Sequence, residues 1–225
     1  METSLHRRLK EIYAGEAAQV EVPLDGYRID AVCGDQLVEI QHGSLAAIRD
    51  KVRRLLRRHR VLVVKPIVSR KLLIQQDAKG GNVVRRRRSP KRGGLLDLFD
   101  ELVYFTGVFP HASLTLEVVL VEIEEWRYPA TRRSRRGRPL RHMVEDQHLI
   151  ATGDRLRLRT SADLRRLLPP RLPRPFHTQH LADRLKIDRW VAQRIAYCLR
   201  KTGAVKAVGK QGNSLLYELP VRRAA

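Results

Sequence analysis

Cysteine is scarce in this chain, because Cys33 and Cys198 are the only two among 225 residues and lie far apart. This count excludes a disulfide framework and a cysteine-rich zinc site, and it indicates a reducing compartment. Long apolar runs are also absent, since stretches such as residues 61–64 fall far below the roughly 18 residues of a membrane span. The N-terminal residues show no signal-peptide core. We therefore expect a soluble cytoplasmic protein with no membrane partner.

Acidic residues are few compared with basic ones. The 24 Asp and Glu against 45 Lys and Arg give a formal net charge of +21, which indicates a polyanionic partner and a nucleoid-associated location. Aromatic residues make up only 5% of the chain, which argues against the stacking platforms that bind single strands. We expect DNA, double-stranded or branched, ahead of RNA. No glycine-rich phosphate loop of the P-loop spacing surrounds Gly80 and Gly81.

Hydrophobic residues make up 43% of the chain, enough to bury a core. Their spacing in the first 68 residues predicts an α-β-β-β-α-β order. The elements are a helix over residues 3–14, strands over 18–24, 27–33 and 36–41, a helix after the N-cap Ser44, and a short strand over 61–64. Further elements, a hairpin of 70–76 with 83–86, a helix over 95–105 and a strand over 114–126, complete a predicted first domain over residues 1–127.

The C-terminal third predicts a basic linker over residues 128–153 and a second domain over 154–220. In the second domain, Thr178 and Asp188 are predicted N-caps of two short helices, and strands over 205–208 and 214–219 form a hairpin. Two helices and a hairpin in this order are typical of a winged helix-turn-helix. The predicted DNA-contacting residues are Arg189, Gln193, Arg194, Lys206, Lys210 and Asn213. The alternative is a winged helix that serves dimerisation or protein binding.

The strands over 27–33 and 36–41 place two carboxylates opposite each other. Gly34 and Asp35 suit a two-residue turn, so the numbers of opposed residues sum to 69 and Asp30 faces Glu39. Like charges directly opposed across two strands are destabilising unless something compensates them. A divalent cation would do so, since Mg²⁺ prefers one or two carboxylates with phosphate oxygens and water. The simpler alternative is that these acids pair with nearby arginines such as Arg28.

Asp30 and the triplet Glu39-Ile40-Gln41, within the α-β-β-β-α-β order, resemble the PD-(D/E)XK nuclease superfamily and its E-x-Q variant in the competence protein CoiA. The resemblance covers roughly residues 1 to 68. It implies an α/β fold with a restriction-endonuclease-like core and a mixed sheet, in which Asp30, Glu39 and the Ile40 carbonyl bind Mg²⁺ or Mn²⁺ for phosphodiester hydrolysis. The addition of a winged helix is similar to transposon end-cleaving nuclease subunits.

Gln41 departs from the commonest form of the motif, which has lysine there. Its amide can position a water molecule but brings no positive charge. Lys51 on the next helix and Arg28 across the hairpin are alternative sources of that charge. Glu11 corresponds to the extra acid that resolvase-like members carry in the first helix, and Glu16 competes with it.

Two functions remain open at this point. The first is a metal-dependent DNA endonuclease, recruited by the winged helix and basic arm, for which a homodimer is one open arrangement. The alternative is a non-catalytic DNA-binding protein with a degenerate nuclease fold. His142, Glu145 and His148 share a helical spacing, but they are expected to be solvated surface residues because no further ligand lies nearby in the sequence.

Overall fold

The computed structural model describes residues 2–15, 18–130 and 141–220. It is a mixed α/β structure, and in its described part seven strands form one sheet in the order β1-β2-β3-β4-β6-β7, with β5 beside β4. These strands are β1 (Gln19–Leu24), β2 (Tyr27–Cys33), β3 (Gln36–Ile40), β4 (Arg60–Gln76), β5 (Val83–Arg88), β6 (Leu114–Pro129) and β7 (His142–Leu158). A separate hairpin contains β8 (Lys206–Gln211) and β9 (Ser214–Glu218). The helices are α1 (Ser4–Ala14), α2 (Arg49–Leu55), α3 (Leu98–Leu102), α4 (Thr178–Leu185) and α5 (Arg189–Lys201).

The chain divides into two compact units, the first formed by residues 1–42, 64–94 and 118–156. Its helix α1 begins after the N-cap Thr3, whose side chain accepts a hydrogen bond from His6 N, and it ends at Gly15, whose φ of 68° suits glycine. Leu5 and Leu9 of α1 are completely buried, and the helix contacts β1, β2 and β3. The apolar stripe of α1 therefore covers this part of the sheet.

The hairpin of β2 and β3 has the predicted register. Cys33 pairs with Gln36, Val32 with Leu37 and Ala31 with Val38. The two residue numbers of each pair sum to 69, as predicted. Because side chains alternate along a strand, Asp30 and Glu39 share the face opposite Ala31 and Val38. The apolar face is buried, since Ile29, Ala31, Val38 and Ile40 are each less than 4% exposed. A slip by one residue would exchange the two faces, so this burial holds the register.

The prediction of a short strand over residues 61–64 is wrong, because β4 continues to Gln76. Lys65 and Pro66 interrupt the apolar run in the sequence, yet Lys65 is only 5% exposed and the strand passes through both. The C-terminal half of β4 pairs with β5, with Leu72 opposite Arg88 and Gln75 opposite Arg85. This is the predicted second hairpin, and its second strand is two residues longer than expected.

The predicted linker over residues 128–153 is also corrected. Residues 131–140 lie outside the described residues, but β6 extends to Pro129 and β7 begins at His142, so most of the remainder is strand. His142, Glu145 and His148 therefore lie on a strand rather than on a helix. Strand β7 was not predicted because it is an outer strand of the sheet and is largely exposed. Such a strand needs no apolar alternation.

The second unit is formed by residues 43–63, 95–117 and 157–225, so the predicted domains 1–127 and 154–220 do not match these units. The helix predicted after Ser44 opens as a 3₁₀ segment over Leu45–Ile48, and the helix predicted over 95–105 is the 3₁₀ segment Leu95–Asp97 with α3. A third 3₁₀ segment is Ser161–Leu167. Helix α4 begins one residue earlier than predicted, because His177 rather than Thr178 is its N-cap.

The end of the second unit contains the predicted succession of two helices and a hairpin. Helices α4 and α5 contact each other and bury Leu181, Ile195 and Leu199. Phe176, just before α4, forms a β-bridge with Tyr217 of β9, and the two backbones exchange hydrogen bonds of 3.0 and 2.7 Å. This bridge ties the hairpin to the start of α4. Among the described helices, none has the length and apolar character to cross a membrane.

Candidate active site and nucleic-acid interface

Asp30 on β2 is held by two hydrogen-bonding groups. Its Oδ2 accepts a hydrogen bond of 2.7 Å from the backbone N–H of Ile40 on β3, and its Oδ1 lies 3.2 Å from Nε2 of His6 on α1. The carboxylate is therefore oriented from both the sheet and the helix. Glu39, on the same face of the hairpin, is 4% exposed. The two predicted acids thus differ in access, since Asp30 reaches solvent and Glu39 is buried.

An open cleft of about 610 Å³ adjoins Asp30 in the first unit. It is lined by Glu2, Thr3, His6, Lys10, Glu21, Arg28, Asp30 and His42. Lys10 is 6% exposed, and its Nζ lies 2.5 Å from carboxylate oxygens of both Glu2 and Glu21. Glu21 also pairs with Arg28. Charged side chains of both signs are therefore fixed around Asp30 before any ligand enters.

Of the residues that line this cleft, only Arg28 and Asp30 were predicted from the sequence. The cleft residues His6 and His42, and Lys65 beside them, were not. His6 reaches Asp30 from α1, and Nζ of Lys65 donates a hydrogen bond of 3.0 Å to the carbonyl oxygen of His42. The backbone N–H of Gln41 donates to Val64 O at 2.9 Å, which sets Lys65 next to the end of the E-x-Q triplet. Of these three residues, only Lys65 could have been noticed in the sequence, because it is a charged residue inside an apolar strand.

The other predicted site residues do not all gather at the cleft. Asp30 and Arg28 line it, whereas Glu11 is exposed on α1 and forms an ion pair of 2.6 Å with Arg8. Lys51 lies on α2 in the second unit. Glu16, the alternative to Glu11, lies outside the described residues.

The predicted ligands, which are the Asp30 and Glu39 carboxylates and the Ile40 carbonyl, suit Mg²⁺ in chemical type because all three are hard oxygen donors. Among the described residues, no three His, Cys, Asp or Glu side chains group so as to hold a metal ion. A cation here would therefore rely on Asp30, Glu39 and the Ile40 carbonyl, completed by water or phosphate oxygens. Mg²⁺ is commonly bound in this way, by one or two carboxylates and the substrate.

His42 is expected to make the stability of the protein pH-dependent. Burial lowers the pKa of His42 from its ordinary 6.5, Lys65 and Lys71 lower it further, and Glu125 opposes them. The unfolded chain then binds a proton at a pH where the folded chain does not, so the free energy of unfolding falls as the pH drops below 6.5. We expect His42→Gln to flatten this dependence by up to about 1.4 kcal/mol per pH unit.

The measurement is urea unfolding of wild type and His42→Gln at several pH values between neutral and mildly acidic. His142 and His177, whose pKa values burial also lowers, keep a residual slope in every variant. An unchanged slope in His42→Gln would contradict the assignment.

The predicted DNA-contacting residues belong to the second unit. Arg189 and Gln193 are exposed on α5, and Lys206, Lys210 and Asn213 are exposed on the β8–β9 hairpin or its turn. Arg194 differs from the others, because it pairs with Asp100 of α3 and lies 4.9 Å over the ring of Trp190. Trp190 itself is 55% exposed. The exposed face of α5 therefore presents an arginine, an amide and an aromatic ring.

The two thiols do not form a nucleophilic site. Both cysteines are free, and burial raises the pKa of each, that of Cys198 to about 12. A thiol must ionise to act as a nucleophile. Cysteine chemistry is therefore not what this structure supports.

The fold and the site define an α/β protein. It has a polar cleft against a sheet in the first unit and, at the end of the second unit, two helices and a hairpin that carry basic residues. The chain belongs to the family described as "Domain of unknown function (DUF8091)", whose model matches residues 3–159. It is similar to an uncharacterized protein of Treponema pallidum (strain Nichols), with 30% identity over 218 residues that cover 96% of this chain and 84% of the relative. No solved structure matches the chain.

Proposed function

We propose that this protein is a metal-dependent DNA endonuclease with its catalytic site at Asp30 and Glu39. The observation that carries the proposal is the oriented Asp30 carboxylate, which opens into a cleft and shares a hairpin face with the buried Glu39. Two acidic residues on one hairpin face are unexpected in a chain of net charge +21, and the binding of a cation would explain their placement. The observed element order α1-β1-β2-β3-α2-β4 agrees with the proposal.

Each neighbouring side chain has a role in this proposal. Asp30, Glu39 and the Ile40 carbonyl would hold Mg²⁺ or Mn²⁺, which when bound supplies Lewis-acid polarisation of the phosphate and a more acidic water. His6 keeps the Asp30 carboxylate oriented, and the Gln41 amide positions the attacking water. Lys65 brings a positive charge to the end of the triplet, where it stabilises negative charge that develops on the phosphate. Lys65 would thereby supply the positive charge that lysine brings in the commonest form of the motif and that Gln41 does not bring.

The helix and hairpin unit is proposed to act as a winged helix that brings DNA to the protein. Helix α5 would enter the major groove with Arg189 and Gln193, and the hairpin would place Lys206, Lys210 and Asn213 near phosphates. Arg194 would contribute less than the sequence suggests, because Asp100 already neutralises its charge. Basic side chains on both α5 and the hairpin support this role.

The test is incubation of the full chain with supercoiled plasmid, linear duplex and branched DNA in Mg²⁺, Mn²⁺ or EDTA. We expect nicking or cutting that requires the metal. Binding to labelled duplex is measured in parallel at several salt concentrations, because a basic protein binds any duplex at low salt. DNA binding without cleavage on any substrate would overturn the catalytic part and support the non-catalytic DNA-binding alternative.

A further inference from the structure

Strand β5 contains four consecutive arginines, Arg85 to Arg88, all exposed. Their guanidinium groups form no hydrogen bond, ion pair or ring contact with any residue of the described part of the chain. Four uncompensated charges on one strand repel one another and have no packing role, since no apolar partner covers them. This arrangement points to an anionic ligand that is supplied from outside.

The pairing of β5 with β4 separates the four arginines into two pairs. Arg87 lies opposite Leu73 and Arg85 opposite Gln75, whereas Arg88 lies opposite Leu72 and Arg86 opposite Ile74. Alternation along the strand puts Arg85 and Arg87 on one face and Arg86 and Arg88 on the other. At about 3.4 Å per residue, the two arginines of a pair are spaced by about 7 Å, similar to neighbouring phosphates of a nucleic acid strand.

The face with Arg85 and Arg87 forms a cleft of about 320 Å³, which we call the arginine cleft. Its lining residues are Leu73, Gln75, Arg85, Arg87, Arg127, Arg141 and His142, from four neighbouring strands and the residue before β7. No carboxylate is among them. Burial, and after it Arg127, hold the pKa of His142 below its ordinary value, with Arg87 also contributing.

The opposite face is different because a carboxylate is built into it. A second cleft of about 370 Å³ is lined there by the basic residues Arg70, Lys71, Arg88 and Arg92, and also by Glu122, whose carboxylate lies 3.6 Å from Arg70. Part of the positive charge on that side is therefore already compensated within the protein. In the arginine cleft Arg127 is already paired with Glu125, whereas Arg85 and Arg87 have no ion pair within the described residues, so these two arginines are the ones that can meet an external anion.

The arginine cleft and the Asp30 cleft belong to the same unit. Lys71 Nζ lies 2.5 Å from Oε2 of the buried Glu125, and this pair acts electrostatically on both His42 and His142. Glu125 is also held by Arg127 and by Gln147, whose Nε2 donates at 2.8 Å. Its negative charge is therefore satisfied within the protein and does not occupy the arginines of β5.

We propose that the arginine cleft binds the phosphodiester backbone of double-stranded DNA, with Arg85 and Arg87 on successive phosphates. This inference rests on the proposed function in that the ligand is DNA. It adds a second contact surface, in the first unit, to the helix and hairpin of the second.

The experiment measures binding of the full chain to a fluorescein-labelled duplex by anisotropy, in EDTA and over a series of salt concentrations. The test variant is Arg85→Gln/Arg87→Gln, and the matched control is Arg86→Gln/Arg88→Gln, which removes the same charge from the other face. We expect the test variant to lose about tenfold or more in affinity, and its salt dependence to fall by nearly two counterions, at about 0.9 per phosphate contact. The control should lose less than about threefold, with a change of less than one counterion. Thermal unfolding of both variants should match wild type, since all four side chains are exposed.

The outcomes separate this inference from the proposed function. Equal losses in the two variants, or no loss in Arg85→Gln/Arg87→Gln, would overturn the arginine cleft as a site, because charge alone would then explain binding. Failure of wild type to bind duplex would overturn both the inference and the proposed function. Face-specific binding without metal-dependent cleavage would uphold the arginine cleft and remove only the catalytic proposal.

Discussion

Asp30→Asn and Glu39→Gln are each expected to lower metal-dependent DNA cleavage by about 10²- to 10³-fold or more, which is the scale on which removal of one key electrostatic group acts. Each substitution removes a negative charge that the proposed site needs to bind a cation, with almost no change in shape. Asn keeps an oxygen that can accept from Ile40 N–H, so the β2–β3 hairpin should persist. Duplex affinity in EDTA should stay equal or rise, because the variant is more positive than wild type.

The matched controls are Asp154→Asn on β7 and Glu124→Gln on β6. They make the same chemical changes in the same unit, and neither side chain has a hydrogen bond or ion pair within the described part of the chain. Both should cleave like wild type. Cleavage retained in Asp30→Asn or in Glu39→Gln, with unaltered unfolding curves, would show that the acids are not the catalytic groups.

Lys65→Met is the second large expected effect, a loss of about 10²-fold in cleavage rate with duplex affinity almost unchanged. The side chain is buried and donates to the carbonyl of His42, so its charge acts locally on the proposed site rather than on the surface that attracts DNA. The loss should therefore appear in the rate at saturating DNA and not in the concentration needed for half saturation. Single-turnover cleavage at saturating protein measures this difference.

The comparison variant is Lys51→Met, because the E-x-Q motif leaves Lys51 as the other lysine that could supply the charge. Lys51 is half-buried on α2, and we expect its removal to have a much smaller effect. A full loss of cleavage in Lys51→Met with activity retained in Lys65→Met would reverse the assignment. Unfolding curves of both variants separate a catalytic effect from loss of structure, since Lys65→Met also leaves the carbonyl of His42 without this donor.

Local elements were predictable because their causes lie within a few residues. The turn at Gly34 and Asp35 determines which residues of β2 and β3 pair, and an alternating apolar face selects the same register. Helix α1 follows from its apolar spacing and from Gly15, which ends it. The shared face of Asp30 and Glu39 therefore follows from the turn and the alternation of residues 27–41 alone.

Longer-range features were not predictable in the same way. The length of β4 depends on its partners, because β5 gives its C-terminal half hydrogen bonds that compensate for polar residues in the pattern. The same holds for β7, which is neighboured by β6 in the sheet but has little apolar alternation of its own. The intrinsic strand propensity of a segment is weak compared with the effect of pairing with a neighbouring strand. A polar strand therefore cannot be predicted from its own residues alone.

By itself the sequence determined the charge of the protein, the α-β-β-β-α-β order of its first part, the hairpin register and the helix and hairpin at its end. Only the tertiary structure decided which side chains accompany Asp30, since His6 and Lys65 come from elements 24 and 35 residues away along the chain. It also decided that Arg194 pairs with Asp100 and that Arg85 and Arg87 of β5 line one cleft with Arg127 of β6. Periodicity along a chain specifies the face on which a residue lies, whereas contact across elements depends on how whole faces pack, which no local spacing encodes.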